Sequence, residues 1–179
     1  MLTIYGAGYE AGFAGNEERY DACRRSAGPG LEGGRRHRPQ RVFTNGEPAS
    51  VFAQSLSLSG ERSQSDNIAI TIRLSNGSVG VITYLANGDS AFPKERIEIF
   101  SGGKTAIIDN FKVLETYQGG TRKVRETTSV EKGHKAEVEE FINSVHLAKD
   151  LIPFQSLVVT TRTTFKIIES LESGLPVEL

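Results

Sequence analysis

Asn67 to Leu85, NIAITIRLSNGSVGVITYL, is the stretch whose reading decides the fold. Ile68, Ile70, Ile72 and Leu74 occupy alternate positions, Asn76-Gly77 interrupts, and Val79, Val81, Thr83 and Leu85 resume the alternation. Two alternating runs around Asn-Gly predict a β-hairpin closed by a two-residue type I′ turn, because both residues tolerate positive φ. With Ser75 opposite Ser78, the register sets Leu74 against Val79, Ile72 against Val81, Ile70 against Thr83 and Ile68 against Leu85. One face is then almost wholly apolar and must be covered. The other carries Ala69, Thr71 and Arg73 beside Gly80, Ile82 and Tyr84, a mixture expected of a surface that meets another body.

Working outward, Ala49–Leu58 alternates as a strand ahead of the hairpin. Arg96–Phe100 and Lys104–Ile108 follow it around Ser101–Gly103, and Lys112–Tyr117 and Thr121–Glu126 flank Gln118-Gly119-Gly120. The period then changes. Val138, Phe141, Ile142, Val145 and Ala148 mark a helix over Lys135–Ala148, and Leu157, Thr161, Phe165, Ile168 and Leu171 mark a second over Ser156–Glu172, ended by Gly174 and Pro176. The run VVTTRTTF is β-branched, yet the stripe continues through KIIESLES, which favours helix. Strands first and helices last predict an α+β domain: a mostly antiparallel open sheet with helices on the Ile-rich face and the other face open. That open face, with Thr71, Arg73, Ile82 and Tyr84 at its centre, is the expected interface of a homodimer or higher homo-oligomer.

Residues 1–45 differ in kind from residues 46–179. They are rich in Gly and Arg without apolar periodicity, and are expected to be poorly ordered and to add little to stability. Gly6, Gly8 and Ala11 fit the G-x-G-x-x-G/A dinucleotide fingerprint, but no amphipathic helix or further βα unit follows, so the match reads as accidental. The basic run Arg35, Arg36, His37, Arg38 and Arg41 lacks interleaved aromatics and reads as solvated charge.

Composition narrows the function classes. The 179 residues are 37% hydrophobic and 24% charged with a net charge of −1, so no electrostatic case exists for nucleic acid or an anionic membrane. A single cysteine, Cys23, excludes an internal disulfide and suits a reducing, cytoplasmic setting. No apolar run reaches membrane-spanning length. Asp66, Asp89 and Asp109 stand alone near turns, where Asp is favoured for backbone reasons, so no metal site is expected. His134 reads as a helix start and His146 as a helix flank.

The order PKERIEIFSGGKTAIIDNFKVLETY, KGHKAEVEEFINSV and PFQSLVVTTRTTFKIIESLESGLPVEL resembles the C-terminal domain of the Gfo/Idh/MocA oxidoreductases, the group that includes glucose-fructose oxidoreductase and inositol dehydrogenase. The similarity runs from about Gly46 to the last residue. It implies a partner half, a Rossmann domain that binds NAD or NADP, with the sheet domain completing a sugar or cyclitol pocket and mediating oligomerisation. A separate chain carrying that Rossmann domain is a candidate partner. The departures are specific: there is no complete dinucleotide-binding domain, no Glu-Lys-Pro motif, and Gly33 rather than Asp stands four residues before His37. No catalytic or cofactor-binding residue is therefore assigned, and the chain is expected to be inactive alone and to hold no cofactor. The resemblance places the loop Asn87–Lys94 near substrate, with Asn87, Asp89, Phe92 and Lys94 facing it. The alternative reading is a stand-alone, non-enzymatic oligomerisation or binding module that has kept only the sheet.

Overall fold

A computed structural model of the chain describes residues 1–5, 46–56, 66–93, 95–128, 134–148 and 150–179. The expectations placed on Gly6, Gly8, Ala11, Cys23, the basic run with His37, and Lys94 lie outside the described residues.

Asn76-Gly77 does make a hairpin, between β3 (Asn67–Leu74) and β4 (Val79–Leu85). Its loop is one residue longer than expected. Leu74 N–H donates to Ser78 O at 2.9 Å and Gly77 N–H to Leu74 O at 3.0 Å, so Ser75, Asn76 and Gly77 form a three-residue loop. Gly77 takes the left-handed position at φ 80°, and Asn76 Oδ1 accepts Ser78 N–H at 3.1 Å. The register accordingly becomes Arg73↔Val79, Ile72↔Gly80, Thr71↔Val81, Ile70↔Ile82 and Ile68↔Tyr84. A slip of one residue sends every β4 side chain to the opposite face. Ile82 and Tyr84 therefore share the isoleucine face, while Thr71 and Arg73 lie on the open side with Val79 and Val81. The expected patch of Thr71, Arg73, Ile82 and Tyr84 does not exist as one surface.

A second difference concerns the start of the chain. Leu2–Tyr5 is a strand, β1, in the middle of the sheet: it runs parallel to β5 (Arg96–Ser101) and antiparallel to β4. Ile4 is only 2% exposed. These four residues belong to the folded sheet, contrary to the expectation that the first 45 contribute little. A four-residue run ahead of Gly6 is too short to show a period, so only its pairing with distant strands identifies it.

Among the described residues the remaining strands are β2 (Pro48–Ser55), β6 (Lys104–Asp109), β7 (Val113–Gln118), β8 (Thr121–Glu126) and β9 (Val177–Glu178), and the helices are α1 (His134–His146) and α2 (Phe154–Ser173). The sheet order is β8-β7-β6-β5-β1-β4-β3-β2-β9, antiparallel except for β1 against β5. This is the expected α+β class with a mostly antiparallel sheet. β4 and β5 are not neighbours, so β1 alone joins the two halves of the sheet.

Two apolar clusters lie on one face of the sheet, since paired residues share a face. One gathers Ile4, Ile99, Ala106, Ile108 and Leu114, with Phe111 packed against it. The other gathers Val51, Ala53, Ile70, Ile72, Leu74 and Leu171, with Ile82, Ile167 and Val177 alongside. Gly80, paired with Ile4 on one side and Ile72 on the other, separates them.

α2 covers the second cluster, lying along β2 and β9. Its threonines explain how a β-branched run becomes helical. Thr160, Thr161 and Thr163 each donate to the carbonyl four residues earlier, at 3.1, 2.9 and 2.7 Å, which satisfies the hydroxyls inside the helix. Gly174, at φ 69°, closes the helix with its N–H on Ser170 O at 2.9 Å. The face turned to the sheet is Ser156, Thr163, Ser170 and Leu171, small groups that let the helix approach closely. The stripe expected to be core divides: Leu171 is buried in the second cluster. Leu157, Phe165 and Ile168 are exposed, as are Val138, Phe141, Ile142 and Val145 of α1.

Candidate substrate loop and interaction surfaces

The segment 86–95 connects β4 to β5, and because β1 lies between them it must cross two interstrand gaps, about 10 Å. It arches over the end of β1 where Leu2 pairs with Ile82 and Ile97. Local bonds fix the first part. Ala86 N–H donates to Asp66 O at 3.2 Å and Asn87 N–H to Asn67 Oδ1 at 3.1 Å, which tie the loop to the start of β3. Asp89 builds the turn that follows: its Oδ1 accepts Ala91 N–H at 2.8 Å and its carbonyl accepts Phe92 N–H at 3.1 Å. Phe92 projects from this turn and is 71% exposed. Asn87 and Asp89 are exposed as well.

The open face of the sheet forms transverse rows read directly from the pairing. One row is Ser50, Arg73, Val79, Tyr5, Phe100, Thr105, Tyr117 and Arg122; the next contains Phe52, Thr71, Val81, Thr3, Glu98, Ile107 and Glu115. Tyr5 and Phe100 stack with ring centroids 5.6 Å apart and planes at 16°. Charges flank this apolar middle and are paired within the sheet. Arg73 Nε donates to Ser50 Oγ at 3.1 Å and its Nη2 lies 3.2 Å from Glu178 Oε1. Arg96 reaches Glu98 at 2.8 Å and Asp109 at 3.8 Å. Arg122 donates to Glu115 Oε2 at 3.0 Å, and Tyr117 donates to the same oxygen. Hydrogen bonds from Arg122 first and Tyr117 second hold the Glu115 carboxyl below its ordinary range, and the same contacts raise Arg122. Glu115 is thus held in its ionised form between Arg122 and Tyr117. Sequence reasoning missed Tyr5, Phe100, Val79 and Val81; the signal for the last two was the alternation itself, once the turn is counted as three residues.

His134 opens α1 with Nδ1 3.9 Å from Glu137 Oε2 and faces solvent. Among the described residues no group of three His, Cys, Asp or Glu is placed to hold a metal ion, and no helix is long and apolar enough to cross a membrane. β1 meets β4 antiparallel and β5 parallel.

No family model matches the chain, and no curated protein does. Solved structures do. The crystal structure of an aldose-aldose oxidoreductase from Caulobacter crescentus superposes with a TM-score of 0.64 at 13% identity, over 99% of this chain and 55% of that one. UDP-N-acetylglucosamine 3-dehydrogenase GnnA from Acidithiobacillus ferrooxidans gives 0.61 at 14% identity, over 96% and 53%. A super-repressor mutant of Gal80p from Saccharomyces cerevisiae gives 0.59 at 13%, over 99% and 57%. The fold is shared with the matched part of each of these structures. The chain spans about half the length of the solved structures it matches.

Proposed function

We propose that this chain acts as the substrate-side and oligomerisation half of an NAD(P)-dependent sugar or cyclitol oxidoreductase, inactive on its own. The observation that carries the reading is the match over nearly the whole of this chain but only about half of each sugar-nucleotide or aldose oxidoreductase it resembles. NAD or NADP would be held by the other half. Asn87, Asp89 and Phe92, with Lys94, face the sugar, and like copies meet through the open face with Val79 and Val81 near the centre. A reducing, cytoplasmic setting accords with the single Cys23.

Saturation-transfer NMR of the full chain with glucose and with inositol tests the substrate side. Millimolar binding that Phe92→Ala and Asp89→Ala weaken is the expected result. Absence of binding by either sugar class would overturn it. The second reading, a non-enzymatic binding module, is favoured by one observation: the same fold occurs in Gal80p, described as a super-repressor mutant.

A further inference from the structure

The hairpins from β5 to β8 turn on pairs of residues at positive φ. Gly102-Gly103 serves β5–β6 at 54° and 70°, and Gly119-Gly120 serves β7–β8 at 55° and 73°. Between them, β6 and β7 turn on Asn110-Phe111 at 47° and 52°, and Lys112 N–H closes the turn on Asp109 O at 2.9 Å. Glycine enters the left-handed region without strain and asparagine tolerates it, whereas the Cβ of a phenylalanine opposes it. The ring occupies a place that glycine would leave empty. It packs against the cluster of Ile4, Ile99, Ala106, Ile108 and Leu114, so the core holds the turn in its left-handed form.

The same turn holds the end of another segment. Asn110 N–H donates to Glu95 O at 2.7 Å, one step beyond the Arg96↔Asp109 pair, and Glu95 is the last residue of the segment 86–95. The first end of that segment is tied at Ala86 and Asn87 to the start of β3. We propose that Phe111 is a positioning residue for the candidate substrate loop: its ring anchors the Asn110-Phe111 turn in the core, and the turn fixes where the loop re-enters the sheet. The consequence for a ligand rests on the half-enzyme reading above. A binding loop with one free end must be ordered as it binds, and that ordering lowers affinity. Phe111 touches no ligand in this account and acts through Asn110 and Glu95.

Amide exchange and heteronuclear NOE measurements on the full chain test it. In the wild type, Asn110 N–H should exchange as slowly as the ladder amides of β6 and β7; exchange as fast as an exposed loop amide would overturn the anchor without any variant. Phe111→Gly keeps the left-handed turn and removes the ring. It should speed Asn110 exchange about tenfold or more and lower the NOE over residues 86–92, while Phe111→Leu keeps both near wild type. Ile99→Val trims the same cluster away from the turn and should move neither. A loop as mobile in Ile99→Val as in Phe111→Gly, or unchanged in Phe111→Gly, would overturn the proposal. Glucose and inositol supply the ligand arm: Phe111→Gly should weaken whichever the wild type binds by about threefold or more. Undiminished binding by a chain with a mobile loop would overturn the positioning role. Binding of neither sugar by the wild type would overturn the half-enzyme reading instead, and the exchange data alone would then uphold or overturn the anchor.

Discussion

Ser170 Oγ accepts the backbone N–H of Ala53 at 3.0 Å and donates to Leu175 O at 2.7 Å, joining α2, the body of β2 and the turn toward β9 through one fully buried hydroxyl. β9 pairs with β2 only at Ser50 and Val51, so the side chain serves a sheet amide that β9 does not reach. Ser170→Ala should leave the buried Ala53 N–H unpaired and cost about 1–3 kcal/mol, read as a lower urea midpoint at unchanged slope. A midpoint equal to wild type would show that water or relaxation replaces both bonds.

Two glycines should respond with opposite signs. A Cβ on Gly46 would fall 2.7 Å from Asn76 Oδ1 and 2.9 Å from Leu74 Cβ, against the hairpin loop itself. Gly46→Ala should destabilise by about 1–3 kcal/mol. A Cβ on Gly80 meets nothing within 4 Å, between the two apolar clusters. Gly80→Ala should stabilise by about 0.5–1 kcal/mol, since it restricts the unfolded chain and fills open space. Thermal unfolding of the pair decides both.

Ile4→Ala removes a side chain that is 2% exposed in the central strand and should cost about 2–5 kcal/mol. A cost under about 0.5 kcal/mol, the ordinary range of surface changes, would remove β1 from the sheet.

The register separates Val81 from Ile82, and charge at the two positions should separate likewise. Val81→Lys, on the open face, should abolish self-association while the fold persists. Ile82→Lys, against the Ile70 and Ile72 cluster, should unfold the protein. Light scattering and circular dichroism together read the two outcomes. A folded Ile82→Lys protein would contradict the pairing.

Glu115 gives a pH signature. Its carboxyl titrates below the ordinary value of 4.5 because Arg122 and Tyr117 donate to it. A depressed folded pKa means the contact stabilises above the unfolded pKa, and that stabilisation fades as pH falls through the folded one. Arg122→Gln should move the Glu115 carboxyl resonance midpoint upward in a carbon-detected titration. No movement would assign the shift to another neighbour.

Much of this was legible in the residues. Asn76-Gly77 between alternating runs identifies a hairpin, and the helical stripes identify two helices. The register was not, because β4 carries apolar groups at both parities: Val79 and Val81 on one, Ile82 and Tyr84 on the other. Either loop length therefore leaves a plausible buried face, and the choice rests on the bond from Leu74 to Ser78. Helix periodicity likewise locates the stripe of Leu157, Phe165 and Ile168 without saying what lies against it. The sheet took the side of Ser156, Thr163 and Ser170, which allow a closer approach, and of the stripe it buried Leu171. Of the candidate loop, Asn87, Asp89 and Phe92 were recognisable from composition, but the crossing over β1 that exposes them required knowing that β1 exists.

That single bridging strand also sets an order of events. The β3–β4, β5–β6 and β7–β8 hairpins close over short stretches of chain, whereas β1 finds its partners 74 to 95 positions away. Long closures are slow, so the two half-sheets should assemble early and the strand between them should enter last. In stopped-flow experiments Ile4→Ala should then quicken unfolding and leave the refolding rate nearly unchanged. The strand that unites the sheet would also be the first to let it part.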